Sequence, residues 1–236
     1  MSSQLPDQLS GQLPGQSSEQ EGTIKFSLDF NSADPILSRR IDAACAWRKI
    51  LFKTELIGQD PERYDGFGYG NISVRIDPAR LEGFEDPGKN IFAISGTQTG
   101  DIIHLTRSMF ALVTECDFKQ NRIRATGPVR PSSESLTHGI LYEIDEFIGC
   151  VIHSHSPEIW KAARDLDIPE TSKEALYGTS EMTEEVARLF KETDVAEKRI
   201  FSMAGHEDGV VSFGRDVIQA GCIMLKNLAG AYERQL

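Results

Sequence analysis

The sequence has 236 residues, of which 39% are hydrophobic and 26% charged, and its formal net charge is -11. This balance predicts one globular domain with a sizeable buried core. It argues against nucleic acid and anionic membrane surfaces as partners, because both require a concentrated basic face and the chain has no run of lysines or arginines. No apolar run approaches the roughly 20 residues that span a bilayer.

The N-terminal segment differs in composition from the rest of the chain. Residues 1–22 are dominated by Ser, Gln, Gly and Pro, which bury too little apolar surface to offset the entropy of ordering. We therefore expect a disordered tail over residues 1–22 and a folded domain over residues 23–236. No basic stretch followed by an apolar run occurs, so no secretory signal is predicted. Widely spaced cysteines among apolar neighbours favour buried, reduced thiols and a cytoplasmic protein: Cys45, Cys116, Cys150 and Cys222.

Periodic patterns predict alternating helices and strands after residue 34. Asp34 and Pro35 form a typical helix start, and apolar residues at three-to-four spacing continue this helix towards Gly58. Later helices are expected from Ser132 or Ser133 to about Asp145, from Ser156 to about Arg164, near 181–192, and after Val217. Strands are expected at 72–76 (half-buried), 91–95, 110–116, 122–125, 148–155, 199–203 and 209–213. Hairpin-length links favour a single three-layer α/β domain, with helices flanking a largely antiparallel central sheet.

A histidine pair stands out at the end of a buried strand, in CVIHSHSPEIW (150–160). Successive strand side chains point to opposite faces, so His153 and His155 share one face. Two adjacent imidazoles are typical of a divalent metal site, and a catalytic zinc ion usually has three protein ligands. The alternative is a pair of ordinary surface histidines. Zinc is the predicted cofactor, although another divalent metal would suit the same ligands.

The third ligand is not fixed by residue spacing. His206 lies in a glycine-flanked turn, MAGHEDGVV, where a side chain can project from a rigid scaffold. His138 lies four residues after Glu134 on one helix face, so these two could meet. His104 lies in a predicted loop and is interpreted as an ordinary polar residue.

Five segments, taken together, resemble the class II aldolase/adducin family. In chain order they are GNISVR (70–75), ISGTQTG (94–100), PSSESLTHGILY (131–142), VIHSHSPEIW (151–160) and AGHEDGVVSFG (204–214). Each is weak alone, but their order over residues 40–230 makes the resemblance strong. It implies a class II aldolase-like fold.

The resemblance also implies roles for individual residues. It places zinc ligands at His153, His155 and His206, and a catalytic acid/base at Glu134, whose pKa partial desolvation would raise. Phosphate binding is implied at Asn71, Ser95, Gly96, Ser132 and Ser133. A helix N-terminus and a glycine turn suit an anion. The plainer interpretations are a helix cap at Ser132 or Ser133, a turn at Gly70-Asn71, and a first-turn carboxylate at Glu134.

The implied activity is metal-dependent aldol cleavage of a small sugar or sugar phosphate through an enediolate, as part of carbohydrate metabolism. The alternatives are a sugar-phosphate 4-epimerase, dehydratase or decarboxylase with a similar site, or a non-catalytic adducin-like binding module. The resemblance further implies a homo-oligomer, as a tetramer, and a catalytic tyrosine from a neighbouring subunit, for which Tyr177 is an unassigned candidate. One departure is visible: Glu207 and Asp208 follow the third histidine, where relatives commonly have glycine.

Overall fold

The computed structural model describes residues 23–81 and 90–236. The predicted tail, residues 1–22, lies outside the described residues. The described helices are α1 (Arg39–Lys53), α2 (Ser135–Ile144), α3 (Pro157–Lys161), α4 (Ser180–Glu192), α5 (Val195–Lys198) and α6 (Val217–Glu233). The described strands are β1 (Ser27–Ser32), β2 (Gly58–Gln59), β3 (Gly68–Tyr69), β4 (Asn71–Arg75), β5 (Phe92–Ser95), β6 (Phe110–Asp117), β7 (Arg122–Gly127), β8 (Cys150–His155), β9 (Ile200–Ser202) and β10 (Gly209–Gly214).

One eight-stranded sheet carries the fold, in the order β1-β7-β6-β5-β4-β8-β10-β9. All neighbouring pairs are antiparallel except β1 and β7, which are parallel. The predicted hairpin is present, with Asp117 of β6 opposite Arg122 of β7. The strands β2 and β3 form a separate two-stranded ribbon. The prediction of a largely antiparallel sheet is therefore confirmed.

Apolar side chains point alternately into two cores, one on each face of the sheet. On one face, Ile152 of β8 belongs to the same core as Met224 of α6. On the other face, Val151 of β8 belongs to the same core as Leu141 of α2 and Val186 of α4. This alternation confirms three layers. It also places His153, two residues after Val151, on the face that α2 and α4 cover.

The first helix begins later than the sequence predicts. The start predicted at Asp34 is wrong, because α1 begins at Arg39. Ser38 has an extended backbone, and its hydroxyl accepts a hydrogen bond from the backbone N–H of Arg40 at 3.2 Å. A serine cap therefore replaces the predicted aspartate cap. Leu37, which the helical pattern included, is 81% exposed.

The helix α2 also begins later than predicted, at Ser135 and not at Ser132 or Ser133. The residues before it form a turn, in which the hydroxyl of Ser132 accepts a hydrogen bond from the backbone N–H of Glu134 at 3.3 Å. Ser135 in turn donates its hydroxyl to the carbonyl of Ser132 at 2.6 Å. These local bonds hold the chain out of the helix for one more turn.

Packing of the layers corrects three smaller expectations. The strand β4 is buried on both faces, not half-buried, because helices cover both sides of the sheet and leave Ser73 fully buried. The helix α3 ends at Lys161, short of the predicted Arg164. All four cysteines are free, but of the predicted buried thiols only Cys150 is buried, while Cys45 and Cys116 are partly buried and Cys222 is exposed. None of the described helices has the length and apolar character required to cross a membrane.

Candidate metal centre

Three histidines converge at the end of β8. His153 and His155 lie on one face of this strand, and His206 comes from the turn that joins β9 to β10. That turn is brought alongside because β10 pairs with β8, with Gly209 opposite His155. One ligand nitrogen from each of the three rings lies within 4.8 Å of the other two. All three side chains are buried, with His206 the most accessible at 3%.

The donor set fits a divalent cation. The Nε2 atoms of His153 and His155 are 3.2 Å apart. Two nitrogens bound to tetrahedral zinc at about 2.0–2.1 Å are separated by about 3.3 Å, so the two rings are already spaced as ligands. Burial lowers the pKa of His153 to about 3, and the nearby backbone of Val210 offsets this only in part. The pKa values of His155 and His206 are also lowered, first by burial and then because protonation would place their charge beside the other imidazoles and beside Arg63 or Lys25. Neutral imidazoles are the form that binds a metal.

A glycine allows the third histidine to enter this group. A Cβ atom on Gly209 would lie 2.7 Å from Cδ2 of His206 and 3.0 Å from its carbonyl oxygen. The backbone N–H of Gly209 donates to that carbonyl at 2.9 Å, which closes a tight turn. The ring of His206 is therefore packed directly against a backbone that tolerates no side chain.

The other two histidines lie outside the cluster. His104 is exposed. His138 is fully buried, and its Nδ1 lies 2.7 Å from the hydroxyl of Ser73, which lies equally close to the hydroxyl of Tyr142. The geometry thus brings His206, and not His138, to the histidine pair.

Glu134 faces the histidines. Its carboxylate oxygen Oε1 is 3.9 Å from Nε2 of His206, and the residue is 1% exposed. Glu134 occupies the N-cap position of α2, yet its side chain makes no capping hydrogen bond. The carboxylate thus lies beside His206 and does not cap its own helix, as the plainer interpretation of a first-turn carboxylate would expect.

Most of the predicted phosphate-binding residues line one small recess, which we call the cradle. Asn71 lies directly opposite His153 in the pairing of β4 with β8, so the cradle adjoins the histidines. Oδ1 of Asn71 is buried and has no hydrogen-bond partner within residues 23–81 and 90–236. Ser95 does not line the cradle, and its hydroxyl accepts a hydrogen bond from the backbone N–H of Ile72 at 3.2 Å. The cradle is lined by Gly68, Gly70, Asn71, Gly96, Thr97, Gln98, Thr99, Gly100, Ser132 and Ser133.

A buried arginine that sequence reasoning missed holds one wall of the cradle. Arg48 of α1 is 1% exposed and donates to the carbonyls of Ile102 at 2.6 Å, Thr99 at 2.9 Å and Gly100 at 2.8 Å. Burial lowers its pKa to about 10. Within the amphipathic helix pattern, a single arginine gives no signal that it points inward.

Aromatic side chains surround the histidines. The ring of Tyr177 is fully buried and lies 4.7 Å from the ring of His206 in the same chain, measured between centroids. On the other side, Tyr64 and Tyr69 pack against His155, with centroids 4.6 and 5.5 Å away. No pattern in the sequence indicated that Tyr64 and Tyr69 lie at the site.

The fold is that of the class II aldolases. Similar solved structures include a sugar-phosphate aldolase from Thermotoga maritima, with a TM-score of 0.61 and 17% identity, covering 82% of this chain and 92% of that one. L-fuculose-1-phosphate aldolase from Thermus thermophilus has a TM-score of 0.56 and 18% identity over 82% and 93%. YgbL from Escherichia coli, described as a putative aldolase/epimerase/decarboxylase, has a TM-score of 0.57 and 14% identity over 81% and 86%.

The sequence places the chain within a family. It belongs to the class II aldolase and adducin N-terminal domain family, whose sequence pattern matches residues 60–229. No curated protein matches the chain closely in sequence. These structural relatives are all below 25% identity, so they establish the fold and leave the reaction to be inferred from the site.

Proposed function

We propose that the protein is a zinc-dependent lyase of the aldolase type, which cleaves a small sugar or sugar phosphate. The observation that carries this proposal is the convergence of three buried, neutral imidazoles with a buried carboxylate 3.9 Å from one of them. Burying four such groups together is costly in free energy unless they serve a ligand. His153, His155 and His206 are the proposed metal ligands.

A cation held by these histidines would polarise the substrate carbonyl and stabilise the negative charge that develops beside it during carbon–carbon cleavage. Glu134 is the proposed acid/base, because its carboxylate lies close enough to exchange a proton with a substrate seated at the histidines. Burial at 1% exposure keeps water away from that proton transfer.

The cradle is the proposed site for a substrate phosphate. Its glycines allow backbone N–H groups to approach an anion, and Asn71 can turn its amide nitrogen towards the same space. Because Asn71 sits opposite His153, a phosphate held there would lie beside the metal ligands, as a small phosphorylated sugar requires. Ser95 is the weakest of the proposed contacts, since its hydroxyl already accepts a backbone hydrogen bond.

The test combines metal analysis with a product assay. We expect the purified protein to bind one zinc ion per chain and to release an aldehyde from one of a panel of ketose phosphates. His206→Ala should remove most of the metal, whereas Glu134→Gln should retain the metal and abolish turnover. His104→Gln, at the exposed histidine, is the matched control and should retain both properties.

Other products in this assay would indicate a different reaction. Epimerised, dehydrated or decarboxylated product without aldol fragments would replace the aldolase activity with one of those reactions at the same site. A well-folded protein that takes up no zinc on titration would favour the adducin-like binding module. The tetramer, the intersubunit tyrosine and the cytoplasmic location remain predictions.

A further inference from the structure

Two loops are joined beside His155 by three side chains, Arg63, Tyr64 and Asp208, which we call the clasp. The hydroxyl of Tyr64 donates to Oδ2 of Asp208 at 2.7 Å, and the guanidinium of Arg63 lies 3.5 Å from the same oxygen. Arg63 and Tyr64 come from the loop between β2 and β3. Asp208 comes from the turn that also carries His206, and it is 7% exposed.

The clasp is in direct contact with one candidate metal ligand. The ring of Tyr64 packs edge-on against the imidazole of His155, with an interplanar angle of 74°. The guanidinium of Arg63 stacks over Tyr64 at 4.8 Å and also contacts its hydroxyl. The hydrogen bond from Tyr64 to Asp208 therefore connects a residue that packs against the ring of His155 to the turn that carries His206.

Both ends of this hydrogen bond have unusual backbone conformations. Tyr64 has a φ of 50° and Asp208 a φ of 60°, in the left-handed region that residues other than glycine rarely adopt. Asp65, next to Tyr64, has a φ of 54°. Such conformations persist only where the surrounding structure holds them. Of the two carboxylates after His206, Glu207 is exposed and only Asp208 turns inward.

We propose that the clasp is a positioning device, which holds His155 and His206 in the arrangement a divalent cation requires and so slows metal release. The proposal rests on the metal centre proposed above. Asp208 is a positioning residue and not a ligand, because among the described residues the carboxylates lie outside the group formed by the three histidines. Tyr64 is a positioning residue because its ring packs against His155 while its hydroxyl is bonded to Asp208. Hydrogen-bonding partners that orient metal ligands commonly control affinity in this way.

The test measures zinc release from the full-length holoprotein into excess chromophoric chelator, for Tyr64→Phe, Asp208→Asn and the double variant. We expect each single variant to release zinc on the order of tenfold faster. Tyr64→Phe removes the hydrogen bond to Asp208, and Asp208→Asn removes the charge that strengthens this bond and pairs with Arg63. Both substitutions therefore act on the same contact, and the double variant should release zinc no faster than the faster single variant. Asparagine tolerates the left-handed conformation, so Asp208→Asn tests the carboxylate and not the backbone.

Asp167→Asn is the matched control. Asp167 also has a left-handed backbone, with a φ of 55°, and its carboxylate accepts a hydrogen bond from Lys198 at 2.6 Å, away from the histidines. Its zinc release should equal that of the wild type. The visible spectrum of the cobalt-substituted protein should change in Tyr64→Phe and not in Asp167→Asn, since it reports ligand geometry.

The outcomes separate the two proposals. A wild-type protein that holds neither zinc nor cobalt overturns the metal centre and the clasp together. A wild type that holds zinc, with clasp variants that release it at the wild-type rate and keep the wild-type cobalt spectrum, overturns the clasp alone. Variants that lower only the melting temperature of the metal-free protein, with release unchanged, also overturn it, because the contacts would then be merely structural.

Discussion

Acidification should destabilise the metal-free protein well before its carboxylates are protonated. His153 has an unfolded-state pKa near 6.5 and a folded-state pKa of about 3, because burial disfavours the imidazolium. Below about pH 6.5 the unfolded chain therefore binds a proton that the folded protein excludes, and the free energy of unfolding falls as the pH falls. A pH of about 5 lies about 1.5 units below the unfolded-state pKa, so His153 alone should lower the free energy of unfolding there by about 2 kcal/mol. His138, His155 and His206, whose pKa values are also lowered, shift stability in the same direction.

Urea unfolding of the metal-stripped protein, at a series of pH values from about 7.5 to about 5, measures this effect. The free energy of unfolding should be nearly constant above about pH 6.5 and should then fall steeply. In His153→Gln the fall should be smaller by about 2 kcal/mol. In His104→Gln, which changes an exposed histidine, the fall should be unaltered. A stability that stays flat down to about pH 5 would refute the reasoning, since the imidazoles would then be protonated in the folded state.

Two further substitutions test how the site is built. Arg48→Met leaves the carbonyls of Thr99, Gly100 and Ile102 without the guanidinium donor, the first two of them in the cradle wall, so we expect a loss of about 3–5 kcal/mol in the free energy of urea unfolding. A loss below about 1 kcal/mol would mean that water replaces the guanidinium. Gly209→Ala places a methyl group 2.7 Å from the ring of His206, so we expect about tenfold weaker zinc binding in a competition titration. Unchanged binding would show that the turn moves without displacing the ring.

Hydrophobic pattern was sufficient to predict most of the sheet. Alternation and apolar runs located β4 to β10, because each of these strands contributes apolar side chains to a core. The edge strand β1 was missed. Its burial alternates only weakly, with exposed residues at most positions, and it pairs in parallel with β7 after a long separation in sequence. Single-segment patterns carry no information about such a partner.

Two of the predicted helix starts are wrong for a local reason, whereas the start predicted at Ser156 is confirmed. Asp34-Pro35 and Ser132-Ser133 both contain good capping residues, but capping propensity does not say which of several polar residues will be used. The helix α1 is capped by Ser38, and before α2 the serines form a turn of their own. The later start of α2 matters for the site, because the turn before the helix places Glu134 beside His206.

For the candidate site, too, residues within one element could be predicted, whereas contacts between elements could not. The pair His153 and His155 could be predicted from strand geometry, since period-two spacing fixes a shared face. His206 required the family resemblance, because the pairing of β10 with β8 that brings it close is a long-range contact. Arg48, Arg63 and Tyr64 had no signal of either kind, and Asp208 was marked only as a departure from the family pattern.

The contacts around the histidines explain how the third ligand, His206, is positioned. The strand β8 is rigid and presents two imidazoles at fixed positions, but the third arrives on a turn whose orientation depends on its neighbours. Gly209 sets how closely that turn can approach, and Asp208 sets which loop it is joined to. A substitution at Gly209 acts on the third ligand, whereas a substitution at Asp208 also acts on His155, through the ring of Tyr64. Metal affinity in this protein should therefore depend on the turn at residues 206–209 as well as on the strand, and zinc release from the clasp variants together with zinc binding by Gly209→Ala measures the contribution of the turn.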